Sequence, residues 1–337
     1  MSLRSSSRRR AQTKPSSRGC ILRPGVITVL RFRWVLFGGL LAAAAHLPAA
    51  ESRLSGAEEP PRISLDVNRI VLVASVTDSR GRFVAGLKAE DFEVLDNKRP
   101  QKILGLATST DQPLRLVTLV DTSNSVRERF RFVQEAAVEF LRRAIRPPND
   151  RAMVISFDTT VEVAGDFTGN VEELAKAIRA LRPGRGTSLY DAIRFACREK
   201  LQKLDGNHSV RRVIVVVSDG EDTQSSATRG MALEEAQRSD VVIYAISTNE
   251  GAAETEGDRV LRLLARETGG MAVFPFKMHH IGPSFQRIAE ELRHQYSLWY
   301  RPEPLVADGR YHTIDVRIKT KKGLTVRTRR GYYAPRS

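Results

Sequence analysis

Residues 114–125 read LRLVTLVDTSNS, and residues 213–220 read VIVVVSDG. Residues 114–120 are apolar apart from Arg115 and Thr118, and 213–217 are apolar throughout. Short runs of this kind are strands covered on both faces, as in parallel sheets. Around them the pattern alternates. An amphipathic segment spans 127–145, with Phe130, Val133, Ala137, Phe140, Leu141 and Ile145 on one face, and Pro147-Pro148 stops it. A strand at 151–157 returns as a hairpin over 161–164. Helices follow at 171–181, 189–204, 227–238 and 258–268, with strands at 241–246 and 271–274. Apolar strands alternating with helices predict an α/β fold with a doubly wound, mostly parallel sheet.

The flanks have a different grammar. Residues 63–77 are rich in β-branched side chains, 78–81 turn, and 83–87, 91–95 and 101–106 continue as short strands. Beyond 276, a helix at 283–294 precedes β segments at 295–300, 311–318 and 324–329. Two small β regions are therefore expected beside the α/β layer. The boundaries read as 1–50, a basic leader; 51–62, a linker with Pro60-Pro61; 63–112, a small β domain; 113–276, the α/β domain; and 277–337, a helix with β segments. The last unit is expected to pack with 63–112, making the α/β domain an insertion.

Composition fits this reading. The chain has 337 residues, 41% hydrophobic and 28% charged, which is ordinary globular usage and allows about two domains. Its two cysteines, Cys20 and Cys197, exclude a disulfide scaffold and a cysteine zinc cluster. The net charge is +15, but nine of those charges fall in residues 1–50, which contain no Asp or Glu. The folded part is only modestly basic, with no helix-turn-helix, RRM or KH pattern, so nucleic acid is not an expected partner.

The stretch 34–45, WVLFGGLLAAAA, follows Arg31 and Arg33 and ends in small residues. This is the plan of a secretory signal, and the run is short of the roughly 20 apolar residues of a membrane span. Export is expected, with an uncleaved N-terminal anchor as the alternative. The long basic segment before it points to a later start near Val26 or Val29, or to a cytoplasmic tail on an anchored protein.

In an open α/β sheet, ligands bind beyond the carboxyl ends of the strands. One such strand runs into Asp121-Thr-Ser-Asn-Ser125, the other into Ser218-Asp219-Gly220, and a glycine-rich loop at 182–187 (RPGRGT) lies between them in sequence. Two carboxylates and several hydroxyls, without His or Cys, are hard oxygen donors that suit Mg²⁺, with Mn²⁺ or Ca²⁺ as alternatives. Helix capping by Asp121 and Ser125 is the simpler reading of the first cluster, but it gives no role to Thr187 or Asp219.

Asp121-x-Ser123-x-Ser125, Thr187 in a glycine-flanked loop and Asp219-Gly220 after an apolar strand resemble the von Willebrand factor type A domain, a Rossmann-like fold. The five residues match its metal-ion-dependent adhesion site in chain order. The wider chain resembles the bacterial exported von Willebrand A-related proteins, through 87–103 (LKAEDFEVLDNKRPQKI), Thr268-Gly-Gly270 and 330–334 (RGYYA). The resemblance implies that Ser123, Ser125 and Thr187 contact the metal through hydroxyls. It also implies that Asp121 and Asp219 act directly or through water, and that an acidic side chain of a protein partner fills an open metal position. Asn124 departs from the family, where Gly is common; it lies between ligands, and a small effect on loop geometry is expected.

Other features have plainer readings. Glu221 and Asp222 read as solvated loop charges, Asp158 and Asp166 as turn residues, and Cys197 as a buried small hydrophobe. Adjacent His279 and His280 point apart and do not make a ligand pair. Tyr296, Trp299, Tyr300, Tyr332 and Tyr333 read as β packing. No Gly-x-Ser-x-Gly elbow, Walker A loop or His-Glu-x-x-His is present. The expectation is a non-enzymatic, exported, metal-dependent protein-binding module. A hydrolase using the same oxygens and an envelope component with a vestigial site are the alternatives.

Overall fold

The computed structural model describes residues 69–336 except 109–111, 205–209, 252, 276 and 278–279. The leader with its apolar run at 34–45, Cys20, the linker and His279 lie outside the described residues. Among the described residues no helix is long and apolar enough to cross a membrane.

Four strands come first: β1 (Ile70–Thr77), β2 (Phe92–Asp96), β3 (Arg99–Gln101) and β4 (Ile103–Thr108). The α/β layer follows. It runs β5 (Leu114–Asp121), α1 (Phe130–Ala144), β6 (Arg151–Phe157), β7 (Val161–Thr168), α2 (Val171–Ala180) and α3 (Leu189–Phe195). It continues through β8 (Arg211–Ser218), α4 (Arg229–Arg238), β9 (Val241–Ser247), α5 (Glu256–Thr268), β10 (Ala272–Val273) and α6 (Ile281–Glu291). The chain ends in β11 (Gln295–Tyr300), β12 (Tyr311–Ile318), β13 (Thr325–Arg327) and β14 (Gly331–Tyr333).

The central sheet has the order β10-β9-β8-β5-β6-β7, parallel except for β7. From β5 the chain passes to β6 on one side, then returns to β8 on the other. The strand order reverses between β5 and β8, so a crevice forms beyond their carboxyl ends. Both strands are covered twice, which is why they are uniformly apolar. Leu116, Val120, Val213 and Val215 face a core with α1, α2 and α6. Val117, Leu119, Ile214 and Val216 face the α3, α4 and α5 side.

Strands from both ends of the chain share two further sheets, of order β13-β1-β11-β4 and β14-β12-β2-β3. Their inward side chains form a third core around Leu72, Phe92, Leu298, Tyr300 and Tyr332. Tyr296 and Tyr332 are also buried, whereas Trp299 and Tyr333 are half-buried.

Several segments differ from their sequence reading. Residues 83–87 make no strand beyond a bridge from Phe83 to Thr77. Gly86 takes a left-handed φ, and the Leu87 amide donates to the Tyr296 hydroxyl at 3.2 Å instead of to a ladder. The helix expected from 127 begins at Phe130, after a 3₁₀ turn over Asn124–Arg129. The helix expected to run to 204 changes at Ala196–Leu201 into a π turn that keeps Ala196, Cys197 and Leu201 inward. Asp258 does not start its helix: it closes a capping box with Thr255 and lies one turn in. The segment at 324–329 holds only β13, and β14 is an additional strand.

Candidate metal centre at the carboxyl edge of the sheet

Asp121 ends β5 and is only 1% exposed. Oδ1 accepts the Ser123 amide at 2.8 Å, folding the chain into a tight turn, and Oδ2 accepts the Ser218 hydroxyl at 2.6 Å. The turn sets Ser123 Oγ 2.9 Å from Ser125 Oγ. Ser123 is buried and Ser125 exposed. The Ser123 side chain accepts no capping hydrogen bond from the 3₁₀ turn. The simpler capping reading thus holds only for the Asp121 carboxylate within its own turn.

The glycine-rich loop is stitched to this turn through its backbone. Gly184 N donates to Thr122 O at 2.5 Å, and Asn124 N donates to Arg185 O at 3.1 Å. A side chain at Gly184 would collide with Asp158 Oδ2, 1.8 Å from a Cβ built there. On the other side, Thr187 N donates to Thr223 Oγ1 at 3.1 Å, and Thr187 O accepts the amides of Thr223 and Gln224 at 2.9 and 3.0 Å. Thr187 is 5% exposed. It is therefore fixed between the β5 turn and the loop after β8.

Asp219 follows β8 and is 6% exposed. Its Oδ1 accepts the Glu221 amide at 3.1 Å, and its carbonyl accepts Asn249 Nδ2 at 2.9 Å. Gly220 has φ +80°, and a Cβ there would lie 2.2 Å from Gly257 O. The loop thus packs against the first turn of α5 with room only for glycine. Asp222 is not the solvated charge expected: it accepts Tyr190 N at 2.9 Å and Ser225 Oγ at 2.6 Å, tying the loop to α3. Glu221 is exposed.

Burial, with a smaller contribution from the Asp219 charge, raises the Asp121 carboxyl to a pKa of about 6, against hydrogen bonds from Ser123 and Ser218 that pull it down. Among the described residues, neither Asp121 nor Asp219 makes an ion pair with a lysine or arginine. A buried carboxylate beside a second carboxylate, without a counter-cation, is costly on its own. A divalent cation would remove that cost. Hydroxyls at Ser123, Ser125 and Thr187 supply neutral oxygen donors, so the donor set fits a hard cation. Among the described residues no group of three or more His, Cys, Asp or Glu is assembled that could hold a metal by itself.

Residues 116–221 match the von Willebrand factor type A domain. This stretch is a von Willebrand factor type A domain. No curated protein matches the chain. Solved structures similar to it include an aerotolerance-related membrane protein from Bacteroides fragilis, 16% identical, covering 53% of this chain and 98% of that one at a TM-score of 0.43. BatB from Bacteroides thetaiotaomicron is also 16% identical, covering 52% and 99% at 0.41. Proximal thread matrix protein 1 from the mussel byssus, with a zinc-occupied MIDAS motif, is 14% identical, covering 58% and 49% at 0.47.

The von Willebrand A domain thus has Asp121 at the end of β5 and Asp219 directly after neighbouring β8 at the reversal point, with Ser123, Ser125 and Thr187 on segments hydrogen-bonded to one another. Sequence reasoning did not single out Ser218, Thr223 or Asn249, which orient the site. Ser218 stands directly before Asp219, yet a serine at a strand end carries no distinctive signal.

Proposed function

We propose that the chain is an exported, non-enzymatic protein-binding module whose von Willebrand A domain captures an acidic side chain of its partner through Mg²⁺. The buried, unneutralised Asp121 beside Asp219 carries this reading. Ser123, Ser125, Thr187, Asp121 and Asp219 would hold the ion, with Mn²⁺ or Ca²⁺ as alternative occupants. The ion would supply Lewis acidity toward an external carboxylate. Two carboxylates only balance a divalent cation, and neutral hydroxyls add little charge, so the ion keeps its attraction for a further anion. The partners of Asp121 are a hydroxyl and a backbone amide, which supply no general base.

Export rests on the sequence at 34–45, and the mature protein is expected to begin between about His46 and Glu51. Calorimetry with Mg²⁺ and Mn²⁺ tests the ion, and crosslinked capture with and without EDTA tests the partner. No metal binding at millimolar concentration would remove the basis of the proposal. Turnover of a phosphoester or peptide would favour a hydrolase instead.

A further inference from the structure

At the opposite edge of the sheet, arginines stand in register on three neighbouring strands. Arg151 of β6 aligns with Arg115 of β5, which aligns with Arg212 of β8, and Arg211 precedes Arg212. Along β5 this row lies about 20 Å from Asp121. A cavity of about 180 Å³ opens beside it, lined by Arg146, Arg211, Arg293 and Asn149 among others.

Elsewhere on the surface, several arginines pair with carboxylates. Arg142 meets Glu172, Arg179 meets Glu135, Arg238 meets Glu234 and Arg262 meets Glu254. At this edge Arg211, Arg115 and Arg293 donate largely to carbonyls, with the Asp150 carboxylate acting on Arg211 and Arg115 and Asp240 on Arg212. Arg211 is only 7% exposed; it donates Nη1 to Leu292 O at 2.7 Å and to Gln295 Oε1 at 3.1 Å. Its Nε reaches Gln112 O at 3.4 Å. Arg115 donates to Leu114 O and Asn149 O, and Arg293 donates to Arg143 O. The carboxylate in the cavity wall, Asp150, is occupied: Oδ1 accepts the Leu114 amide at 2.8 Å and Oδ2 the Arg146 amide at 3.1 Å.

We propose that this cavity binds a phosphate-type oxyanion, carried either by a soluble phosphoester or by a phospholipid headgroup. The single Asp150 carboxylate only partly offsets Arg146, Arg211 and Arg293 around the cavity, and an anion from outside would offset more of that charge. Arginine forks match the geometry of a tetrahedral oxyanion and bind it through paired charge-assisted hydrogen bonds. Arg146 and Arg293 are exposed at the rim, where they would meet the anion first. Burial pushes the Arg211 pKa down, and the Asp150 charge opposes that shift.

Inorganic phosphate is titrated into the full chain and compared with chloride at matched ionic strength. Phosphate is expected to bind saturably and to raise the unfolding temperature above the chloride value. Arg146→Glu combined with Arg293→Glu is expected to weaken phosphate at least tenfold, while Arg179→Gln, at a paired arginine, leaves it unchanged. Co-flotation with phosphatidylglycerol and phosphatidylcholine vesicles separates the sources. Loss of phosphatidylglycerol binding in the double variant assigns a headgroup, and equal binding assigns a soluble phosphoester. If wild-type protein shows no phosphate-specific stabilisation, or the double variant binds phosphate as well as wild type, the proposal is overturned.

Discussion

The Ser218 hydroxyl donates to Asp121 Oδ2 across 2.6 Å, joining residues 97 positions apart in the chain. The same oxygen accepts the Gly220 amide at 3.0 Å. Ser218 therefore orients one carboxylate and shapes the turn that carries the other. Ser218→Ala leaves a buried amide and a buried carboxylate oxygen each short of a partner. A loss of about 1–3 kcal/mol is expected by denaturant unfolding. Metal titration of the same variant should show weaker binding, because Asp121 loses its orienting contact.

Asp121→Ala should abolish binding of divalent cations while keeping the fold, since Asp121 serves the sheet's rim more than its core. About half of the formal negative charge facing the ion is removed. Thr187→Ala should weaken binding without abolishing it, because one neutral donor is lost. Calorimetry and Mg²⁺-dependent thermal shifts on both variants check the order. If Asp121→Ala binds metal like wild type, the ion sits elsewhere.

Metal-free protein should lose stability as pH rises from about 4 to about 6. The Asp121 carboxyl moves from 3.8 to about 6 on folding, so across this window the native state keeps a proton that the unfolded chain has released. Stability then falls with rising pH, by about 3 kcal/mol in all. Asp121→Asn should flatten this dependence. Unfolding curves in EDTA at pH 4, 5, 6 and 7 are the measurement, and an unchanged slope in the variant would assign the effect to another group.

Glu291 at the end of α6 is fully buried and pairs with Arg327 of β13. Its other oxygen accepts the hydroxyls of Ser75 and Tyr244 at 2.8 and 2.9 Å. Arg327→Ala would leave that charge uncompensated, and a loss of about 3–5 kcal/mol is expected. Combining Arg327→Met with Glu291→Gln should recover part of it. Additive losses in the double variant would show that the pair is not coupled.

Cys197 is buried, and burial raises its thiol pKa well above the usual value. A thiol kept from solvent and protonated reacts slowly. Ellman's reagent should therefore label Cys197 only after unfolding. Rapid labelling of native protein would mean that the π turn at Ala196–Leu201 opens readily.

By itself the sequence determined the α/β class, the two central strands and the order of the five candidate site residues. Strands buried on both faces must be apolar throughout, so β5 and β8 announced themselves without reference to any partner. The tertiary structure decided what depends on pairing between distant segments. It placed Ser218 against Asp121, held Thr187 through Thr223, and satisfied residues 83–87 with a tyrosine hydroxyl instead of a ladder. It also aligned Arg151, Arg115 and Arg212. Each arginine lies within the first two residues of its own strand, and only the parallel register brings them to one edge. Local periodicity reports whether a side chain is buried; which groups it meets there is set by strand order and loop packing.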